Sequence, residues 1–336
     1  MGLDQLAVRP HERLAAYLAD GMAAVNVLIR ERMASKHAPR IPEVTAHLVE
    51  AGGKRLRPAL TLLAAQLGEG TTDAVVTAAV AVELTHLASL YHDDVMDSAP
   101  MRRGSPAAHE VWGNSVAILT GDVLFARASR LVADLGPVAV RIQAETFERL
   151  CLGQLHETVG PDEDADPLEH YLSVLADKTA SLISTAARYG AMFSGAPVDQ
   201  VEMVARYGHK VGIAFQLADD VIDLTSDGGE SGKTPGTDLR EHVPTMPVLL
   251  LRARAARPDA TEADRRLVGA LDADLSGDDA LAAVVSELRG HPVVDETRER
   301  AAALAAEAVA EIEDLPAGAV RDAFALLATA LVDREA

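Results

Sequence analysis

Apolar residues recur at a spacing near 3.6 through most of the chain, as in Leu14 to Met33, Leu60 to Leu67 and Ala301 to Ile312. That period predicts helices with one buried face. Alternating apolar and polar runs of strand length are missing, and Val293-Val294 is too short to count. Glycine and proline cluster at Gly52-Gly53, Pro100 to Pro106, Gly160 to Pro167, Gly195 to Pro197, Ser226 to Thr237 and Gly290 to Pro292, and each cluster predicts a break. The breaks yield about a dozen helices, most joined by short connections that suit antiparallel neighbours in a bundle. The fold class is therefore all-α. No linker composition interrupts the pattern, so residues 1–336 read as a single helical domain.

Composition narrows the function. With 336 residues, 49% of them apolar, the chain can bury one large core. Its 31 basic and 51 acidic residues leave a net charge of −20, which disfavours nucleic acid and anionic membrane surfaces as partners. Any phosphate site has to be local. The longest apolar stretch, Ala74 to Tyr91, contains Glu83 and His86, which reads as too polar for a free-standing membrane span, so no stable membrane insertion is expected. The opening Met1 to Leu6 carries an early acid and no secretory pattern. A single cysteine, Cys151, excludes an internal disulfide, reads as a buried small hydrophobe and fits a reducing cytoplasm.

Two acidic cassettes change the picture: Asp93-Asp94-Val95-Met96-Asp97 and Asp219-Asp220-Val221-Ile222-Asp223, each directly after a long apolar stretch. On a helix, Asp93 and Asp97 share a face, as do Asp219 and Asp223. At about 5 Å and an effective dielectric of ~20, each such carboxylate pair repels by on the order of 3 kcal/mol unless a cation lies between. Magnesium fits best, because it takes one or two carboxylates and completes its shell with water and phosphate oxygens. Neither cassette continues as a calcium loop, and histidines are too sparse for zinc.

Basic residues cluster where a phosphate ligand would need them. Gly52-Gly53-Lys54-Arg55-Leu56-Arg57 sets two glycines before three cations, Arg102-Arg103-Gly104 follows the first cassette, and Lys178-Thr179 and Lys233-Thr234 add donors. The glycine-rich segment Asp227 to Gly236 after the second cassette has the composition of a closing loop. A diphosphate held by metal on one side and cations on the other can ionise its carbon–oxygen bond. No Walker-type loop accompanies it, which makes a nucleotide kinase or ATPase less attractive.

From Gly52 to Pro247 the motifs fall in an order that resembles the trans-polyprenyl diphosphate synthases: Gly-Gly-Lys-Arg-Leu-Arg-Pro at 52–58, Leu84 to Asp94, Arg102 to Gly104, Lys178-Thr179 and Phe215 to Asp220. The resemblance implies a helical bundle of the isoprenoid synthase type with a central active-site cavity, working as a homodimer. It implies that Asp93 and Asp97 hold two magnesium ions and that Asp219, with Asp223, holds a third. Asp94 and Asp220 would support those ligands from behind. By the same resemblance Arg102, Lys178 and Lys233 bind the allylic diphosphate, and Lys54, Arg57, His86 and Arg103 bind isopentenyl diphosphate. Thr179 and Gln216 would lie beside the developing allylic cation. One position departs from the pattern, since Val243 stands where the family usually has lysine.

Chain length should be measured from Asp93. Ala88 and Ser89, about one turn or 5.4 Å deeper, are small, as are Thr85, Ala81 and Ala78 below them. The expected product is therefore medium- or long-chain, such as a quinone side chain, and Ala88→Phe is expected to shorten it. Geranylgeranyl and farnesyl diphosphate synthase are the alternatives. A terpene cyclase and a non-catalytic subunit of a heteromeric synthase are rivals that the intact second cassette disfavours.

Overall fold

A computed structural model of the protein describes residues 12–34, 41–226, 235–241 and 243–334. Among the described residues there are sixteen α-helices. The first six are α1 (Glu12–Met33), α2 (Ile41–Glu50), α3 (Leu56–Ala64), α4 (Asp73–Met96), α5 (Ala108–Trp112) and α6 (Asn114–Asp134). Next come α7 (Pro137–Val159), α8 (Pro167–Leu175), α9 (Ser181–Phe193), α10 (Val198–Thr225) and α11 (Thr237–Arg240). The last five are α12 (Met246–Ala255), α13 (Glu262–Leu271), α14 (Asp278–Arg289), α15 (Pro292–Glu311) and α16 (Ala319–Val332). The predicted breaks at Gly52-Gly53, Gly160 to Pro167 and Gly195 to Pro197 all fall between helices.

One strand pair went unforeseen. Met101–Arg102 (β1) and Ser105–Pro106 (β2) pair antiparallel across Arg103-Gly104. Both turn residues have positive φ, 54° and 77°, as a two-residue type I′ hairpin requires. At two residues per strand the hairpin is too short to leave an alternating pattern.

The chain divides into two compact units, the first drawn from residues 1–148, 182–208 and 311–326 and the second from 149–181, 209–310 and 327–336. In the first unit α4 is the central element, packed most extensively on α6 and also on α1 and α3. Thr72 caps its start by accepting the Val75 N–H at 3.2 Å. Ala78 to Leu84 are fully covered apart from Glu83 at 2%, so α4 is buried on all sides, which explains its lack of a polar face. By length and composition α4 is in fact apolar enough to cross a membrane, despite Glu83 and His86. The fold itself buries 67% of that stretch.

In the second unit α8, the later turns of α10, and α12 to α15 enclose a core that includes Tyr171, Leu217, Leu249, Leu267, Val285 and Leu288. Between α8 and α9 the helix widens into a π turn at Ala176–Ala180, where Lys178 and Thr179 sit. Such turns re-aim side chains and recur at functional sites. Two glycines make room for it. A Cβ on Gly153 of α7 would lie 2.6 Å from the Lys178 nitrogen, and one on Gly212 of α10 would lie 2.6 Å from the Ala180 Cα. Arg149 holds the turn from the side, through Asp177 Oδ1 at 2.7 Å and the Ala176 carbonyl at 3.1 Å. Cys151, expected to be buried, is exposed: α7 turns Leu150 and Gly153 inward and leaves Cys151 and Leu152 outside.

Gly153→Ala should therefore push α7 off the π turn. Overpacking of this kind costs about 1–3 kcal/mol. The expected result is a lower melting temperature by calorimetry, and an unchanged melt would mean that α7 does not press on Lys178.

Candidate active site

The first unit gathers an arginine cluster around His86. Glu83 and His86, three residues apart on α4, face the start of α3 and the β1–β2 hairpin. Glu83 is buried and ion-paired with Arg55, whose Nη2 also donates to the Val49 carbonyl at 3.1 Å. Arg103 donates to the carbonyls of Leu48, at 3.0 Å, and Gly52. Gly53 is needed here, because a Cβ on it would lie 2.8 Å from the Arg103 guanidinium carbon. Arg55 and Arg103 both adopt left-handed backbone, φ 49° and 54°, a strain that the anchored guanidinium groups offset.

Positive charge is in excess there. Burial lowers the pKa of His86 well below its ordinary value, and Arg57, Arg103, Arg55 and Arg102 push it the same way. His86 is thus a neutral hydrogen-bonding group at pH 7. Burial also lowers Arg57, to about 10, with Glu83 opposing and Arg103 assisting; it stays charged at neutral pH. Its Nε is buried without a hydrogen-bond partner among the described residues. Buried donors are rarely left so, and an anion is what the cluster lacks. Lys54 stands exposed on the loop before α3, and Arg57 lies on the first turn of that helix.

The first cassette ends α4, with the Asp97 N–H on the Asp93 carbonyl at 2.8 Å. Asp93 is half-buried and Asp97 exposed. Both lie at the helix C-terminus, where the macrodipole adds negative potential and favours cations. Asp94 points the other way. It is fully buried and accepts from Arg102 Nε at 2.6 Å, while burial raises its pKa against the pull of Arg102. Asp94 therefore positions Arg102.

The second unit carries the other cassette near the end of α10. Asp220 Oδ2 accepts the Tyr171 hydroxyl and, at 3.0 Å, the Met246 N–H. Burial pushes its pKa up to about 8, and through these bonds Asp220 ties α10 to α8 and α12. Asp223 accepts the Asp238 N–H at 3.4 Å. Asp219 pairs with Arg334 at 2.7 Å, and the Arg334 guanidinium lies 4.5 Å from the Phe215 ring centroid. On the π turn, Lys178 pairs with Glu157, and Thr179 donates to Gln216 Oε1 at 3.4 Å. Val243 meets its surroundings through the backbone, its N–H on the Asp238 carbonyl at 2.8 Å. Lys233 and most of the segment Asp227 to Gly236 lie outside the described residues.

These carboxylates suit a hard divalent cation. Asp93 with Asp97 and Asp219 with Asp223 offer oxygen pairs, and among the described residues no group of three or more His, Cys, Asp or Glu forms a closed cage. An ion bound by such a pair draws the rest of its shell from water and phosphate oxygens, as magnesium does.

Sequence reasoning missed Glu83, Arg55 and Arg334. A lone glutamate in an apolar helix needs a partner, so the first two left a sign; Arg334, near the chain end, left none. Glu83→Gln should strand the Arg55 charge and cost about 3–5 kcal/mol. Chemical denaturation should show that loss and a partial recovery in the Glu83→Leu/Arg55→Met double variant. Equal stability of wild type and Glu83→Gln would mean the pair anchors nothing.

The family model for polyprenyl synthetase matches residues 38–287. The nonaprenyl diphosphate synthase of Mycobacterium tuberculosis is 50% identical over 289 residues, covering 86% of this chain and 85% of that protein. A polyprenyl synthase from Caulobacter crescentus, solved with calcium and isoprenyl diphosphate, superposes with a TM-score of 0.86 at 36% identity over 97% of this chain and 98% of that one. The decaprenyl diphosphate synthase of Rhodobacter capsulatus gives 0.85 at 41% identity, over 97% and 100%. An all-α chain that the family model matches over most of its length, and that these relatives resemble in sequence and architecture, belongs to the polyprenyl synthetase family of prenyltransferases.

Proposed function

We propose that the protein condenses isopentenyl diphosphate with an allylic diphosphate and releases a linear medium- or long-chain polyprenyl diphosphate. The observation that carries this reading is the arginine cluster, which surrounds neutral His86 and leaves Arg57 Nε unpaired. Isopentenyl diphosphate supplies the missing anion. Arg57 and Arg103 hold its charge, Lys54 reaches it from the exposed loop, and His86 donates a hydrogen bond without adding a proton. Arg102, aimed by Asp94, takes the allylic diphosphate together with Lys178 and Lys233.

Magnesium on Asp93 and Asp97, and a third ion on Asp219 and Asp223, would neutralise charge as diphosphate departs. The calcium and isoprenyl diphosphate bound by the Caulobacter relative support a divalent ion. Thr179 and Gln216 flank the developing cation, and the proton lost after condensation leaves with pyrophosphate. The nonaprenyl and decaprenyl relatives favour a long product over geranylgeranyl or farnesyl diphosphate. The protein works as a cytoplasmic homodimer on this reading, which is supported by Ile118, Leu119, Val138 and Val140, apolar and exposed on α6 and α7.

Purified protein given magnesium, labelled isopentenyl diphosphate and each short allylic diphosphate should make linear products longer than geranylgeranyl, and a chelator should stop it. No condensation with any starter would sink the proposal. Cyclic products would make it a terpene cyclase, and turnover only after adding a second protein would make it a subunit of a heteromeric synthase.

Arg334 provides a second test, because it occupies Asp219 Oδ1 where a metal would bind. In Arg334→Gln, titration calorimetry without substrate should show Mn2+ binding several-fold tighter than in wild type. Equal affinity would mean that arginine and metal do not compete.

A further inference from the structure

We infer that Gln143 sets the length to which the product grows, as a movable crossbar between α7 and α4. This specificity role rests on the elongation reaction proposed above. The residue lies outside every motif in the sequence, and the wall it crosses is the one along which the growing chain would descend from Asp93.

Ser89, Ala88, Thr85 and Ala81 form that wall on α4. Thr85 lies one turn below Ser89 and eight residues below Asp93, about 12 Å along the helix axis. The hydroxyls on this wall are turned away from it. Ser89 Oγ donates to the His86 carbonyl at 2.9 Å and Thr85 Oγ1 to the Ala81 carbonyl at 2.9 Å. Back-bonding of this kind hides a hydroxyl against its own helix and presents carbon to the neighbours. The wall is thus apolar in effect although two of its members are polar.

Gln143 breaks the rule. It is 7% exposed, and its Nε2 donates to Thr85 Oγ1 at 2.8 Å. The direction follows from chemistry, since the Thr85 hydrogen is already committed to Ala81. The amide oxygen, Oε1, is buried with no partner among the described residues. An amide kept only to join two helices would satisfy both ends. The next inward residue of α7, Thr146, does so, its hydroxyl 2.7 Å from that of Thr185 on α9. Among the described residues the Gln143 side chain makes a single hydrogen bond and leaves its other end unsatisfied, so an apolar chain arriving at Thr85 can swing it aside.

An aromatic ring at this level would stop a chain sterically, and an alanine would not stop it at all. Glutamine does something between, because passing it breaks one hydrogen bond and strands a second polar group. Ala88 is a poorer gatekeeper, because α4 meets α6 closely there, with a Cβ on Gly121 only 3.1 Å from the Ala88 carbonyl.

The test is product sizing of Gln143→Ala and Gln143→Phe beside wild type, with labelled isopentenyl diphosphate and one allylic starter, and a melting curve for each. The main product should gain at least one isoprene unit in Gln143→Ala and lose at least one in Gln143→Phe. An unchanged or shorter product from Gln143→Ala overturns the inference while leaving the prenyltransferase reading intact. Wild type that makes no product removes both. If Gln143→Ala does not fold, Gln143→Met decides, since it keeps the volume and loses the hydrogen bond; its product should be longer and more dispersed, and a wild-type distribution overturns the crossbar.

Discussion

One buried carboxylate organises the first unit. Glu83 is 2% exposed in the middle of the long apolar helix α4, where an unpaired charge would be prohibitively costly. Arg55 answers it, and to reach it the loop after α2 takes up left-handed backbone at Arg55. That loop in turn supplies the Gly52 carbonyl that holds Arg103 and the Gly53 that leaves space for its guanidinium. Arg57 follows on the first turn of α3. Three arginines are therefore brought to His86, and only one of them is neutralised by Glu83. The surplus charge that could bind a diphosphate is the residue of a structural ion pair.

The acidic cassettes divide their labour by burial. Each middle aspartate is enclosed and bonds to protein through one oxygen: Asp94 Oδ1 takes Arg102, and Asp220 Oδ2 takes Tyr171 and Met246. The outer aspartates stay at or near the surface, where a hydrated cation can reach them. The inner residue adds little to the repulsion between the outer pair, because Asp94 is paired with Arg102 and burial pushes the Asp220 pKa up to about 8. The three carboxylates of a cassette thus present less charge to solvent than their number suggests.

Much of this could be read in the sequence. The helical period, the breaks and the cassette spacing rest on local rules, and the elements appear where those rules put them. What escaped was set by contacts between segments remote in the chain. The β1–β2 hairpin was too short to alternate. The π turn at Ala176–Ala180 is widened by glycines on α7 and α10, residues that give no local warning. Arg334 reaches Asp219 from more than a hundred residues away, and Cys151 was judged by composition when the face it occupies decided its exposure.

The same contrast bears on how an all-helical wall can measure a chain without an aromatic stop. Threonine and serine on α4 look polar in sequence but are apolar in the fold, because each hydroxyl is absorbed by a carbonyl one turn earlier. Glutamine cannot be absorbed in that way: its amide has two polar ends and too long a stem to bond its own helix turn at both. Placed opposite Thr85, it must reach across and leave one end wanting. A wall of small residues with one such amide is soft at a defined depth, and it yields to an apolar chain in proportion to how much buried contact lies beyond. Length control then becomes a balance between a broken hydrogen bond and the apolar surface gained below it.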